Sequence, residues 1–265
     1  MIPADHRASC APRAFSRRSH ARSRLVCFPH AGGAAGAYRD WSLDAPWDVE
    51  VLAVQYPGRG DRFDERAAGD MEGLLDDLVP GLTGEFTRDE LASCVFFGHS
   101  MGASVAYEAA RRLAVTGRPP AALVVSGQPA PQRSRGGDLH RAGDAELLAD
   151  LRRLGGTARD VLDNDALLQA LLPAVRSDYR LIETYRPLPG EALGIPVTVL
   201  YADDDPEVTA AEAAAWREVT TGPCEVEVFT GGHFYLETRR AAVLARVLGA
   251  VRAALPETAA WPSTP

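Results

Sequence analysis

The chain contains no lysine; all 28 of its basic side chains are arginines. A lysine amine is what Schiff-base catalysis, a P-loop phosphate contact and a Ser-Lys dyad require, so all three chemistries are excluded. Cysteine is scarce as well. Cys10, Cys27, Cys94 and Cys224 are scattered and form no CxxC pair. That pattern indicates neither a metal site nor a disulfide framework, and a reducing, cytoplasmic setting is expected. Cys27 and Cys94 fall inside apolar runs and read as inert core thiols. No apolar stretch reaches the roughly 20 residues that cross a bilayer, so no membrane partner is expected. Residues 1–24 are Arg-rich but lack the apolar segment of a secretory signal. Positive charge is also in deficit over most of the chain. Residues 1–24 carry six arginines against Asp5, or +5 of a net charge of −8, which leaves −13 on the remainder. A body that acidic repels a phosphate backbone, which excludes nucleic acid as a partner.

What is present is a regular alternation. Short apolar, β-branched runs are predicted as strands at Leu25–Phe28, Val49–Tyr56, Cys94–Phe97, Ala121–Ser126, Val197–Tyr201 and Glu225–Phe229. Helical periodicity predicts helices near Met71–Phe86, Met101–Val115, Thr209–Val219 and Arg240–Leu255. Continuous apolar strands separated by helices imply a mostly parallel, doubly wound α/β sheet covered on both faces, with its site at the strand C-termini. From about 139 to 185 the strand signal vanishes. Leucines 147, 148, 151, 154, 167, 168, 171 and 172 instead mark helices, expected to form a lid inserted over the site. The expected organisation is a disordered extension over 1–24, one α/β domain over 25–255 and a disordered tail over 256–265. A monomer is expected.

The chemistry is concentrated at the ends of the strands. Phe96-Phe97-Gly98-His99-Ser100-Met101-Gly102-Ala103 is a short apolar strand running through Gly-x-Ser-x-Gly into a helix. The sharp turn lifts the Ser100 hydroxyl to the sheet end at the positive end of a helix, so Ser100 is the candidate nucleophile. Downstream, Tyr201-Ala202-Asp203-Asp204-Asp205-Pro206 follows a strand and supplies an acid. Asp205 fits the placement a few residues past the strand end, and Asp203 is the alternative. His233, in Gly231-Gly232-His233 after the last strand, is the candidate base. The order serine, acid, histidine is that of the α/β-hydrolases. Small residues in Phe28-Pro29-His30-Ala31-Gly32-Gly33-Ala34 let backbone amides approach an oxyanion, a role assigned to the N–H groups of Ala31 and Met101. His30 is read as shaping that loop, and His99 as a packed neighbour rather than the base. Tyr56-Pro57-Gly58-Arg59-Gly60-Asp61-Arg62 is either a polar turn or a loop at the site mouth carrying two guanidinium groups. No cofactor and no metal are indicated.

Taken together, FPHAGG, QYPGRGDR, GHSMGA, ADDDP and GGHFYL resemble the motifs of type II thioesterases, which accompany modular polyketide and nonribosomal peptide synthases. The resemblance runs from about Leu25 to Leu255. It implies an α/β-hydrolase fold with a helical lid, and a triad of Ser100, Asp205 and His233. It also implies hydrolysis of acyl thioesters on the phosphopantetheine arm of an acyl or peptidyl carrier protein, as an editing reaction. ADDDP departs from the family, where a glycine and a basic residue are frequent, and this keeps Asp203 open as the acid. Because carrier proteins are acidic, docking calls for a local basic patch; Arg59, Arg62, Arg66, Arg152 and Arg153 are the candidates. A general carboxylesterase or lipase of the same fold, and a catalytically silent carrier-binding protein, are the competing readings.

Overall fold

The computed structural model describes residues 10–156, 164–187 and 190–254. Seven strands form one sheet: β1 (Arg13–Ala14), β2 (Ser23–Phe28), β3 (Val49–Ala53), β4 (Cys94–His99), β5 (Ala122–Ser126), β6 (Val197–Ala202) and β7 (Cys224–Phe229). Their spatial order is β1-β3-β2-β4-β5-β6-β7. Every pair is parallel except β1 with β3. The helices are α1 (Arg39–Asp44), α2 (Met71–Glu85), α3 (Arg88–Leu91), α4 (Met101–Val115), α5 (Asp144–Leu154), α6 (Asp165–Thr184), α7 (Ala210–Ala214), α8 (Tyr235–Thr238) and α9 (Arg240–Ala253).

The continuous apolar runs are explained by burial on both faces. Along β2 and β4 successive side chains alternate between two cores. Val26, Phe28 and Phe96 join Leu74, Leu78 and Leu82 of α2 and Val105, Ala109 and Leu113 of α4. Leu25, Cys27, Val95 and Phe97 join Trp41 of α1 and Val243, Val247 and Val251 of α9. The central strands therefore have no solvent face, and their C-terminal ends open toward one edge of the molecule. Side-chain caps fix where helices begin: Asp70 accepts from the Gly73 amide at α2, and Asn164 from the Leu167 amide at α6.

Between β5 and β6 lie two short helical turns, at Pro131–Arg133 and Leu139–Arg141, and the helices α5 and α6. Their apolar faces meet each other. Leu147 and Leu151 pack with Leu172, Val175 and Tyr179, and this cluster closes on Ala31 and Leu139. The described residues of this segment, 139–156 and 164–185, thus form a helical cover seated on the loop after β2.

The expected disordered extension over 1–24 requires correction for residues 10–24. Arg13 and Ala14 pair with Ala53 and Leu52. Cys10 is fully buried, with its thiol 3.0 Å from an Asp77 carboxylate oxygen. The Arg18 guanidinium donates to the carbonyls of Ser42 (2.8 Å), Ala45 (2.9 Å) and Val49 (3.2 Å). The arginines that resembled a solvated tail are thus used to collect loop carbonyls and carboxylates. Residues 1–9 and the expected tail over 256–265 lie outside the described residues.

Candidate active site

Ser100 stands at the junction of β4 and α4 with φ 53° and ψ −128°. Among the described residues it alone has a positive φ without being glycine. Its neighbours must be small. A Cβ on Gly98 would lie 2.1 Å from the Gly102 carbonyl oxygen, and one on Gly102 would lie 2.0 Å from that of Phe28. Both clashes are with backbone and cannot be relieved by a rotamer. The Ser100 amide donates to the Ser126 carbonyl at 2.8 Å, which anchors the turn to β5.

His233 reaches the same region from the loop after β7. Gly231 has φ 140°, its amide donates to Asp203 Oδ1 at 3.0 Å, and its carbonyl accepts from the Asp204 amide at 3.0 Å. These bonds tie the loops after β6 and β7 together. They hold His233 Nδ1 at 3.0 and 2.9 Å from the two Asp205 carboxylate oxygens. Both side chains are buried, at 2% and 0% exposure. Asp205 Oδ1 also accepts from the Glu207 amide at 2.9 Å. The carboxylate that meets the histidine is therefore Asp205, while Asp203 is exposed and serves the Gly231 turn.

Ser100 and His233 line one cavity of about 280 Å³, together with His30, Ala31, Tyr179 and Phe234. No direct Ser100–His233 hydrogen bond is formed among the described residues; such contacts commonly tighten only when substrate is bound. The amides of Ala31 and Met101 donate to no protein acceptor among the described residues. Met101 opens α4, whose start has no side-chain cap, so its N–H remains at the positive end of a 15-residue helix. At the opposite wall, Gly33 donates to the His30 carbonyl at 2.9 Å and closes a tight turn. Gly32, at φ 75°, faces the lid: a Cβ there would lie 3.2 Å from Val175.

Two further histidines pack around the pair. His99 is fully buried, its ring 5.0 Å from that of His233. Its Nδ1 lies 2.9 Å from Ser126 Oγ, which lies 2.7 Å from Tyr235 Oη. Its Nε2 is buried with no partner. Burial, followed by the proximity of His233 and His30, holds the His99 pKa well below the ordinary histidine value. His30 is pushed down to about 4 by burial, then by His233 and Arg59. Both are therefore neutral spacers at pH 7, in keeping with their expected packing roles.

Two of the arginines expected to be exposed are not. Arg59 and Arg62 are each 3% exposed. Arg62 pairs with Glu65 and with Asp77 at 2.7 Å. Arg59 meets Asp178 of α6 through both nitrogens of its fork, at 2.5 and 2.7 Å. Their burial removes Arg59 and Arg62 from any docking patch. Arg66 and Arg152 are exposed, and Arg153 sits on the cavity rim, paired with Asp150 at 2.7 Å and Glu207 at 2.8 Å. The Arg59–Asp178 bond and the His99–Ser126–Tyr235 chain were not legible in the sequence, because no local pattern links residues so far apart. Among the described residues, no cluster of His, Cys, Asp and Glu could hold a metal ion, and no helix is long and apolar enough to cross a membrane.

The family model for the thioesterase domain matches residues 23–253. A probable cadicidin biosynthesis thioesterase of Streptomyces griseus is 45% identical over 213 residues, which cover 80% of this chain and 58% of that protein. The match thus spans little more than half of that relative's length. Thioesterase PikA5 of Streptomyces venezuelae is 43% identical over 225 residues, 84% of this chain and 79% of that protein. Among solved structures, the type II thioesterase BorB from the borrelidin biosynthetic cluster superposes with a TM-score of 0.84 at 44% identity, covering 92% of this chain and 98% of BorB. YbtT, a type II thioesterase from the yersiniabactin pathway, gives a TM-score of 0.82 at 26% identity, covering 92% and 99%.

Proposed function

This chain belongs to the thioesterase family, and from that premise we propose that it edits polyketide or nonribosomal peptide assembly lines, hydrolysing acyl groups from the phosphopantetheine arm of carrier proteins. The observation that carries the proposal is His233, paired with buried Asp205, sharing one cavity with a serine on a strained turn. In the proposed reaction Ser100 Oγ attacks the thioester carbonyl while His233 Nε2 takes its proton. Asp205 accepts from Nδ1–H, which fixes the tautomer and stabilises the imidazolium. The Ala31 and Met101 amides receive the oxyanion. Collapse breaks the C–S bond, the pantetheine thiol leaves with the His233 proton, and an acyl-serine remains. Water then attacks that ester with His233 as base, and the free acid and Ser100 are regenerated. A thiol, with an ordinary pKa near 8.5, needs less help to leave than an amine. A compact polar site therefore suffices.

The proposed partner is an acidic carrier protein, met at the lid rim by Arg152 and Arg153, in the reducing cytoplasm that the free thiols suit. Active-site labelling tests the proposal. A fluorophosphonate is expected to modify Ser100, and kcat/KM is expected to favour a thioester over the matched oxygen ester. Preference for the oxygen ester would support a general esterase, and failure to label would support a silent binding protein.

A further inference from the structure

We propose that Arg59 and Asp178 form a brace that fixes the oxyanion loop, so that the lid helix α6 takes part in assembling the oxyanion hole. The inference rests on the acyl-transfer reading above. Asp178 belongs to the lid, in the middle of α6. Its Oδ2 accepts from the Gly32 amide at 2.7 Å and from Arg59 Nη1 at 2.5 Å, and its Oδ1 accepts from Arg59 Nη2 at 2.7 Å. Arg59 Nη1 also donates to the Gly33 carbonyl at 3.2 Å. The pair therefore grips the loop at two successive residues, immediately after Ala31. On the preceding side Tyr56 Oη donates to the Pro29 carbonyl at 3.2 Å. The Arg59 guanidinium lies over the Tyr56 ring, 5.5 Å from its centroid. The orientation of the Ala31 peptide is thus set by groups from two segments remote in sequence, the loop after β3 and the lid helix α6.

Stability alone is a poor account of this pair. A buried ion pair is often no better than well-packed apolar residues of similar volume, and here Arg59 Nε is left buried without a partner. What an apolar pair could not supply is an acceptor for the Gly32 amide. The position suits only glycine, because φ is 75° and a Cβ there would lie 3.2 Å from Val175. Arg59 and Asp178 are positioning residues on this account, since the bond they direct is made by Ala31. Withdrawal of α6 would release the loop, which couples lid docking to competence for catalysis.

Two double variants separate positioning from stability. Arg59→Met/Asp178→Leu removes both charges and the acceptor, while Arg59→Met/Asp178→Asn removes both charges but keeps an acceptor for Gly32. Removal of one oxyanion donor costs about 10²–10³ in kcat. The Leu variant is expected to lose about 10²-fold in kcat with KM little changed. Its affinity for a trifluoromethyl ketone, whose adduct oxygen occupies the hole, is expected to fall by a similar factor. The Asn variant is expected to recover about tenfold or more of that loss. Glu108→Gln, which disturbs another buried pair, with Arg111, controls for stability and is expected to keep its kcat. A folded Leu variant with wild-type kcat, equal kcat in the two double variants, or an equal loss in Glu108→Gln would overturn the brace. Fluorophosphonate labelling of wild-type Ser100 is measured first. Its failure would overturn the acyl-transfer reading itself, whereas a labelled wild type with an unaffected Leu variant would overturn the brace alone.

Discussion

At Ser100 an L-residue occupies backbone territory that glycine enters at little cost, and the strain is of order 1–3 kcal/mol. Alanine inherits that strain and glycine does not. Ser100→Gly is therefore expected to unfold at higher denaturant than Ser100→Ala, with both devoid of turnover; the reverse order would deny the strain. Asp205→Asn is expected to lower kcat by roughly 10⁴-fold, because the amide favours the wrong His233 tautomer. Steady-state kinetics on a small thioester checks this. A pH effect follows from His30, whose pKa is about 4 in the fold against an ordinary 6.5. Below pH 6.5 the unfolded chain binds a proton that the folded chain refuses. Stability is thus complete above that value and falls as the pH drops toward 4, by at most about 3 kcal/mol from this residue. Urea titrations at pH 7 and 4.5 are expected to show the fall, and His30→Gln to make it shallower. Ser100, His233 and the acid cluster were legible because each lies in a short motif at a strand end. The choice of Asp205 over Asp203 for the His233 contact needed the fold. Arg59 and Asp178 are separated by 119 residues, and neither sits in a pattern that names the other.

Elements were legible wherever burial imposed a period. Strands β2 to β6 had clear apolar runs, and α2, α4 and α9 had amphipathic or apolar periodicity, whereas the exposed edge strand β7 was legible only from its β-branched residues. β1 had neither. It is two residues long, Arg13–Ala14, and lies at the sheet edge, so its role emerges only from its partners. The Arg18 guanidinium spans four carbonyls, of Ser42, Ala45, Pro46 and Val49, from α1 to the start of β3. Hydrogen bonds from a charged donor contribute about 1.5–3 kcal/mol. Arg18→Ala is expected to lower unfolding stability by about that amount with little change in kcat, and denaturant melts with parallel kinetics check this. An unchanged midpoint would return the segment to the status of a loose extension. The lid was legible as a break in alternation, since a sheet strand cannot follow a leucine repeat with helical spacing. Its seat on the loop after β2 was not, because Val175 and Asp178 look in sequence like any helix positions.

For the whole molecule, charge sets the terms of partnership. In the proposed partnership an acidic body meets an acidic carrier and gains nothing from long-range attraction, so recognition there has to be local. The structure narrows the cationic candidates by burying Arg59 and Arg62. Arg153 lines the cavity that holds Ser100, and Arg152, its neighbour on α5, is exposed. Arg152→Gln/Arg153→Gln is expected to raise KM for a carrier-bound acyl group and to leave KM for a small thioester unchanged. An equal rise for both substrates would place these arginines in acyl binding rather than docking. The most direct test of the central claim is the intact mass of an acyl-loaded carrier protein after incubation with wild type and with Ser100→Ala. The account predicts that wild type alone removes the acyl mass and leaves the free phosphopantetheine thiol. An acyl group that persists with both proteins, while small oxygen esters are cleaved, would contradict it.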